Sequence, residues 1–389
     1  VKKRIFIIAG EPSGDLHGAN LVRSIKEIDP DIDFIGIGGD RMKREGIELV
    51  EHCSNMAVVG FTEVFTKLAN IIKTGIKTKR ILLEKKPDLL ILIDYPDFNL
   101  HIAGYAKRLS IPVMYYISPQ VWAWRTGRVK KIRKLVDKMV VILPFEKEFY
   151  ERWGVDVSYV GHPIMDEIPK ELNREEIKER LGVVKRYPII SLLPGSRKHE
   201  IENTLPLMID ALSILKGRYN SLIAYIVVAE HINMDYIKKF TMGCNFIVPV
   251  PNRMIYEVLS ISDMAFVTSG TATLETAIME TPMIVIYKGS SISFWIAKSL
   301  VNVKYISLAN LIAKEKIVPE ILQDQVKGEI LSREALRILE DEGVRKEMKE
   351  KLKNIRAKLG EGGASKRAAN IAISILKGSS HGKEDPCRR

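Results

Sequence analysis

Four short stretches carry the residue types that chemistry needs. GEPSGDLHG (10–18) sets Glu11, Ser13 and Asp15 among glycines at positions 10, 14 and 18. DYPDFN (94–99) spaces two carboxylates, Asp94 and Asp97, around Pro96, with Asn99 beyond them. LPGSRKHE (193–200) follows a Pro-Gly turn with Ser196, Arg197 and Lys198. SGTATLE (269–275) gathers Ser269, Gly270, Thr271 and Thr273 ahead of Glu275. A carboxylate just past a strand can serve as general base toward a sugar hydroxyl. Small residues that lead into a helix bring free N–H groups close to an anion, and an arginine there adds a charge-assisted donor. Two such helix starts in the second half suggest a nucleotide diphosphate, with Glu275 placed to hydrogen-bond a ribose. Each stretch also has a plain structural alternative. Ser13 or Asp15 can cap a helix, and Asp94 or Asp97 can be a turn or cap residue.

The elements that must position these residues are legible as apolar runs alternating with amphipathic stretches. Buried strands are expected at 4–9, 34–37, 89–93, 113–117, 138–143, 187–193, 222–228, 246–249, 264–268 and 282–287. Helices are expected at 14–28, 101–109, 127–136, 145–153, 199–216, 252–261, 271–280 and 293–302, then at 332–341, 343–359 and 364–377. Near-continuous apolar strands separated by helices predict parallel sheets covered on both faces. Ligands then bind at the carboxyl ends of the strands, and all four stretches fall there. The pattern restarts after GHPIMDEIPKELNREE (161–176), a linker broken by Gly161, Pro163 and Pro169. Two doubly wound domains are therefore expected, with a disordered tail at the end.

The chain has 389 residues, 46% hydrophobic and 28% charged, the balance of a folded globular protein. Its net charge of +12 admits nucleic acid, an anionic membrane or a phosphorylated substrate as partner. Three scattered cysteines and no C-x-x-C argue against a disulfide framework or structural zinc. RIFIIAG is too short for a signal peptide, and no run approaches the ~18 apolar residues of a membrane span. A cytoplasmic location is expected. The glycines at 10–18 do not have the G-x-G-x-x-G spacing, and no Walker A, H-E-x-x-H, G-x-S-x-G or EF-hand loop occurs. His17 and His162 lie in candidate site loops, but the histidines lack metal-ligand spacing, and no metal or cofactor is expected.

Two basic stretches remain. Six of the ten residues 125–134 are Arg or Lys, next to Trp122 and Trp124. This is either a solvated helix face or a phosphate or anionic-surface patch. In 61–82, Phe61, Phe65, Leu68, Ile72 and Ile76 form one helical stripe beside Lys67, Lys73, Lys77 and Arg80. The simpler expectation is a helix that packs this stripe on the sheet; the sharper one is a helix lying in a membrane interface.

Taken together, AGEPSGDLHGANL (9–21), GIGGDRM (36–42), VVGFTEV (58–64), DYPDFN, YYISPQVWAWR (115–125), LPFEKEFY (143–150), VGHP (160–163), LLPGSRKHEI (192–201) and SGTATLE resemble lipid-A-disaccharide synthase, an inverting glycosyltransferase family of GT-B fold. The resemblance implies two Rossmann-like doubly wound domains facing a central cleft. Residues 1–165 would bind the acceptor, with a C-terminal helix in 360–378 packing back on them. Residues 166–359 would bind the UDP-sugar, and 379–389 would be a tail. The substrates implied are UDP-2,3-diacylglucosamine and 2,3-diacylglucosamine 1-phosphate (lipid X), and the products the β(1→6) disaccharide 1-phosphate and UDP. Asp97 is the expected base and Asp94 the second choice. Glu11, Ser13, Gly14, Asp15, Asn99 and Trp124 would shape the acceptor side. Arg197 would neutralise the leaving diphosphate, with Ser196 and the backbone at 270–273 assisting, and Ser269, Gly270, Thr271 and Thr273 would be the substrate-binding residues of that turn. Glu275 would hold the ribose, and Asn310 and Gln323 are further donor-side candidates. The resemblance also implies peripheral attachment to the anionic cytoplasmic face of the inner membrane, a possible homodimer, and no nucleic acid.

Rival readings are another GT-B UDP-N-acetylglucosamine enzyme, an epimerase or transferase, which would share the UDP side but not GEPSGDLHG, PDFN and WAWR; a basic nucleic-acid-binding protein; and a membrane-surface protein without catalysis.

Overall fold

In the computed structural model, residues 2–56, 64–122, 127–169, 171–289 and 304–381 are described, without the side chains of 64–68 and 379–381. The chain divides into two compact units, Val1–Asp166 with Glu361–Arg389, and Glu167–Gly360.

The first unit runs β1 (Arg4–Ala9), α1 (Pro12–Ile28), β2 (Asp33–Gly38), α2 (Asp40–Arg44), β3 (Glu48–His52), α3 (Val64–Lys85), β4 (Leu89–Ile93), α4 (Pro96–Arg108), β5 (Val113–Tyr116), α5 (Arg128–Leu135), β6 (Lys138–Val141), α6 (Pro144–Arg152) and β7 (Val157–Tyr159). Its strands form a parallel sheet in the order β3-β2-β1-β4-β5-β6-β7. Order reverses between β1 and β4, so a crevice opens at their carboxyl ends. IFIIA (5–9) and LLILI are apolar throughout because both faces of these strands are covered; Ile5 to Ile8 and Leu89 to Leu92 have no exposed surface.

The second unit runs α7 (Arg174–Arg180), β8 (Ile189–Leu193), α8 (Lys198–Arg218), β9 (Ile223–Val228), α9 (Met234–Lys238), β10 (Ile247–Pro251), α10 (Ile255–Ile261), β11 (Met264–Thr268), α11 (Ala272–Ile278), β12 (Met283–Tyr287), α12 (Leu308–Ala313), β13 (Glu320–Leu322), α13 (Gly328–Glu340) and α14 (Glu342–Leu359). Its parallel sheet has the order β10-β9-β8-β11-β12-β13 and reverses between β8 and β11. The last helix, α15 (Ala364–His381), belongs to the first unit and packs on α1. Asp166 accepts the Gly363 N–H, and Arg367 donates to the Val160 carbonyl at 2.7 Å, which fixes where α15 begins.

Several details depart from the sequence reading. β5 stops at Tyr116 because Ile117 takes a left-handed backbone with φ of 61°. α4 starts at Pro96, earlier than the apolar period indicated, with proline in the first turn. β3, α2, α9 and β13 are five residues or shorter or carry mixed patterns, and periodicity does not reveal them. The expected helix at 293–302 lies outside the described residues. α15 extends to His381, into the stretch expected as tail, and 382–389 are not described. The stripe of 61–82 is corrected where it is described. Ile72 and Ile76 are 56% and 65% exposed. Instead α3 buries Thr74, Thr78 and Leu82. No helix of the described residues is long and apolar enough to cross a membrane.

Candidate active site

At the crevice of the first unit, the backbone does the positioning. β4 ends in two successive left-handed residues, Asp94 and Tyr95, with φ of 43° and 48°. Only a well-braced turn keeps non-glycine residues there. The Asp94 N–H donates to the Ile117 carbonyl at 3.2 Å. Buried Asn99 donates from Nδ2 to the Ile93 and Asp94 carbonyls at 3.1 and 2.6 Å, and the Tyr115 hydroxyl also donates to Asp94 O. Gly10 is needed because a Cβ there would meet the Tyr95 ring at 2.6 Å. Gly14 lets α1 close on β1, where a Cβ would stand 3.2 Å from that of Ala9.

The carboxylates around this turn differ in character. Asp94 is mostly buried, and burial followed by the nearby Glu11 charge pushes its pKa up to about 6. Asp97, on the first turn of α4, is 81% exposed, and one of its oxygens is held by Arg128 on the first turn of α5. Glu11 is the N-cap residue of α1 but makes no side-chain capping bond, so its carboxylate stays exposed; neither Ser13 nor Asp15 caps the helix.

Asp15 is a correction to the expected acceptor role. It is buried, one oxygen accepting the Gly39 and Met42 N–H groups at 2.6 and 3.0 Å and the other the Arg41 N–H at 3.1 Å. Its carboxylate ties the β2–α2 turn to α1. His162 is buried and His17 half-buried, and both are held neutral, pushed down to about 3 and about 4 by desolvation. Trp124 lies outside the described residues. Sequence reading also missed Tyr95, Tyr115 and Arg128 as site-building residues. The signal of Tyr95 and Tyr115 is only that each stands at a strand end, and Arg128 is marked only as one of the cations of 125–134.

In the second unit, a cavity of about 330 Å³ opens at the carboxyl ends of β8 and β11. Gly195, Ser196, Arg197 and Glu200 line one side, and Ser269, Gly270, Thr271 and Glu275 the other. The expected free N–H groups of the first loop are partly engaged. One Glu200 oxygen accepts the Ser196 and Arg197 N–H groups at 3.0 and 3.1 Å, and the other accepts from the Arg197 guanidinium at 3.2 Å. Gly195, at φ of 107°, makes room for this, since a Cβ would stand 2.6 Å from the Glu200 oxygen. Arg197 itself is 72% exposed. His231, which sequence reading passed over, holds the Ser196 carbonyl at 2.6 Å.

Glu275 is half-buried on α11, and desolvation followed by the charge of Glu167 pushes it up to about 7. Beside this cavity a second, of about 320 Å³, is lined by Val228, Ala229, Ile232, Pro251, Asn252 and Arg253. Of the donor-side candidates Asn310 is corrected, whereas Thr273 is expected to act through its backbone and only its side chain is withdrawn. Thr273 is fully buried and its hydroxyl donates to the Gly270 carbonyl at 2.7 Å. Asn310 is fully buried, donating to Val318 O and Glu320 and accepting the Ile317 and Val318 N–H groups, which closes its hydrogen-bonding capacity. Gln323 stays half-buried at φ of 50°, and its Nε2 has no acceptor among the described residues. Nor do the described residues contain three His, Cys, Asp or Glu side chains grouped to hold a metal.

Comparison with known proteins shows the family and the fold. The sequence model of the family described as Lipid-A-disaccharide synthetase matches residues 5–375. The chain is 42% identical over 374 residues to the lipid-A-disaccharide synthase of Geobacter metallireducens, covering 96% of this chain and 97% of that one. It is 44% identical over 381 residues to that of Syntrophus aciditrophicus, covering 97% and 99%. Among solved structures it is similar in fold to S. aureus MnaA determined with UDP (TM-score 0.63, 14% identity, 97% of each chain). It is also similar to the calicheamicin glycosyltransferase CalG4 (TM-score 0.59, 14% identity, 99% of this chain and 100% of that one). Two parallel doubly wound sheets, a braced carboxylate turn at one reversal point, an arginine-bearing loop at the other and this match along the chain have one conclusion: the protein is a glycosyltransferase belonging to the lipid-A-disaccharide synthase family.

Proposed function

We propose that the chain transfers 2,3-diacylglucosamine from UDP-2,3-diacylglucosamine to 2,3-diacylglucosamine 1-phosphate (lipid X). The β(1→6) lipid A disaccharide 1-phosphate forms and UDP leaves. The observation that carries this reading is the exposed Asp97 carboxylate held on one side by Arg128. A base needs an accessible oxygen and a partner that fixes the other.

In this reading Asp97 takes the proton of the acceptor's 6-hydroxyl as that oxygen attacks the anomeric carbon. The bond from this carbon to the diphosphate breaks on the opposite face, which inverts the configuration. Negative charge then grows on the diphosphate, and Arg197 with the Gly270–Thr271 turn supplies positive charge and N–H groups to meet it. Glu275 accepts from the ribose hydroxyls. The second cavity, with backbone from 251–253, takes the uracil. Glu11, Ser13 and Asn99 serve the acceptor side, Asn99 by bracing the turn. Residues 1–165 with α15 form the acceptor domain and 166–359 the donor domain.

We further propose that the first unit rests on an anionic membrane. Ile72, Ile76 and Leu83 stand exposed on α3. His101 on α4 is pushed down by partial burial and then by Lys79, Lys131 and Arg108, so cations of α3, α4 and α5 converge near that face. Such a surface suits lipid-bound, phosphorylated substrates.

The direct test incubates the pure protein with both acylated sugars, with and without EDTA. Release of UDP with one equivalent of tetraacyl disaccharide is expected. Folded protein that makes no disaccharide, or that only isomerises a UDP-sugar, would overturn the reading.

A further inference from the structure

Glu146 is a carboxylic acid inside the first unit, 2% exposed, with no ion pair among the described residues. It sits in the first turn of α6. The mechanism above gives it no role, yet an unpaired buried carboxyl is costly and is retained only where something depends on it. Its hydrogen bonds show what that is. Oε1 accepts from the Ser118 hydroxyl at 2.6 Å and from the Trp122 indole N–H at 3.2 Å. Oε2 accepts from the Leu143 N–H at 3.0 Å. Two of the three donors come from the loop that follows β5, and Phe145 packs edge-on against Trp122 with ring centres 4.8 Å apart.

Directly before Ser118 stands Ile117. A β-branched residue at φ of 61° is strained and stays there only if its neighbours hold it. On one side the Ile117 N–H donates to the Val140 carbonyl at 2.9 Å; on the other its carbonyl accepts the Asp94 N–H at 3.2 Å. The contacts thus run without a gap from Glu146 through Ser118 and Ile117 to the left-handed Asp94–Tyr95 turn, which launches α4 and Asp97. We propose that Glu146 is a positioning residue of the acceptor site: it clamps the loop after β5 so that Ile117 holds the Asp94–Tyr95 turn in its strained, productive form. Burial pushes the carboxyl up to about 7, as expected for an acid whose three donors only partly replace water.

The inference rests on the proposed transferase reading, so its test has one readout apart from turnover. Ser118→Ala removes one link and leaves the Leu143 cap of α6 in place. Glu146→Gln keeps an oxygen for Ser118 and Trp122 but cannot accept from Leu143, and Glu146→Leu removes all three bonds. In the full-length protein, amide exchange at Asp94 should quicken in Ser118→Ala and Glu146→Leu, and less in Glu146→Gln. Turnover should fall in the same order, roughly tenfold or more for Ser118→Ala, with UDP affinity and the KM for the UDP-sugar unchanged. Unaltered exchange at Asp94 in Ser118→Ala would overturn the proposal. So would variants that lose thermal stability and UDP affinity together while the surviving fold turns over at the wild-type rate. A wild type without transferase activity would overturn the functional reading instead, and the exchange experiment would still decide the clamp. If Glu146→Leu fails to fold, Ser118→Ala alone settles the outcome.

Discussion

Arg128, on the first turn of α5, holds the carboxylate of Asp97, on the first turn of α4, and leaves that carboxylate mostly open to solvent. An exposed ion pair of this kind contributes little to stability; its effect is to orient. Asp97→Asn should therefore fold normally and bind UDP as the wild type does, while turnover drops by roughly 10²–10⁴-fold, the usual share of a general base. Arg128→Gln should lose less, on the order of tenfold, because the base remains but is no longer aimed. Steady-state kinetics with a thermal melt distinguishes this from damage. Wild-type turnover in Asp97→Asn would pass the role to Asp94, and an acid limb of kcat near pH 6 would then be expected from its raised value.

Asp94 has a consequence for stability whose sign is fixed. Its pKa rises from the ordinary 3.8 to about 6 on folding, so the folded chain binds the proton more tightly than the unfolded one. The destabilisation is absent below about pH 4, grows between about pH 4 and 6, and is complete above. Asp94→Asn removes it and should stabilise the protein at pH 7.5 by on the order of 1–3 kcal/mol, while at pH 4 the variant and wild type should melt alike. Thermal melts at the two pH values check this. A variant less stable than wild type at pH 7.5 would show that the ionised carboxylate supports the turn.

How far the sequence could be read follows from which signals are local. The β-branched runs RIFIIA and LLILI announce buried parallel strands, and glycine, proline and small residues mark their ends, so both sheets and all four loops are visible in one dimension. The chemistry of the side chains in those loops is not. Asp15 and Glu11 look alike in GEPSGDLHG, but only the fold brings the Gly39–Met42 amides onto Asp15 and leaves Glu11 bare. Asn310 and Gln323 resemble each other as polar residues near a strand, and only packing shows one saturated and the other with a bare Nε2. Arg128 is one of six cations in its run, and nothing in spacing tells that it is the one that meets Asp97. The left-handed turns at Asp94, Tyr95 and Ile117 carry no glycine and therefore no sequence mark.

If Glu275 holds the ribose as proposed, nucleotide binding depends on pH. Burial and the neighbouring Glu167 charge push it up to about 7, so a fraction of the protein holds it neutral near physiological pH. The ionised form is the stronger acceptor for ribose hydroxyls. UDP affinity measured by calorimetry should rise as the pH passes from 6 to 8. Glu275→Gln should abolish that dependence and weaken UDP by roughly 10–100-fold at pH 8, the worth of hydrogen bonds to a charged group. The same variant should melt higher at pH 8, because the destabilisation of an acid raised from 4.5 to about 7 is then complete. A pH-independent UDP affinity in the wild type would remove Glu275 from the ribose.

The exposed face of α3 separates two roles, of which the residue pattern alone favours the helix that packs on the sheet. Ile72 and Ile76 lie one turn apart, 56% and 65% exposed, while the helix is anchored through Thr74, Thr78 and Leu82 on its other side. A stripe that packed the core would lose stability when made polar. This one contributes almost nothing to the fold, since surface substitutions away from packing stay within about 0.5 kcal/mol. Ile72→Asn with Ile76→Asn should therefore leave the melting temperature unchanged. If the face meets lipid, the same pair should weaken co-sedimentation with vesicles of phosphatidylglycerol and phosphatidylethanolamine by about tenfold or more, through lost apolar burial. Raising the salt should weaken wild-type binding as well, because Lys79, Lys131 and Arg108 contribute electrostatically. Turnover on short-chain, soluble sugars should not change, whereas turnover on vesicle-bound acceptor should fall in step with binding. A lower melting temperature with unchanged vesicle binding would return α3 to the role of a core helix.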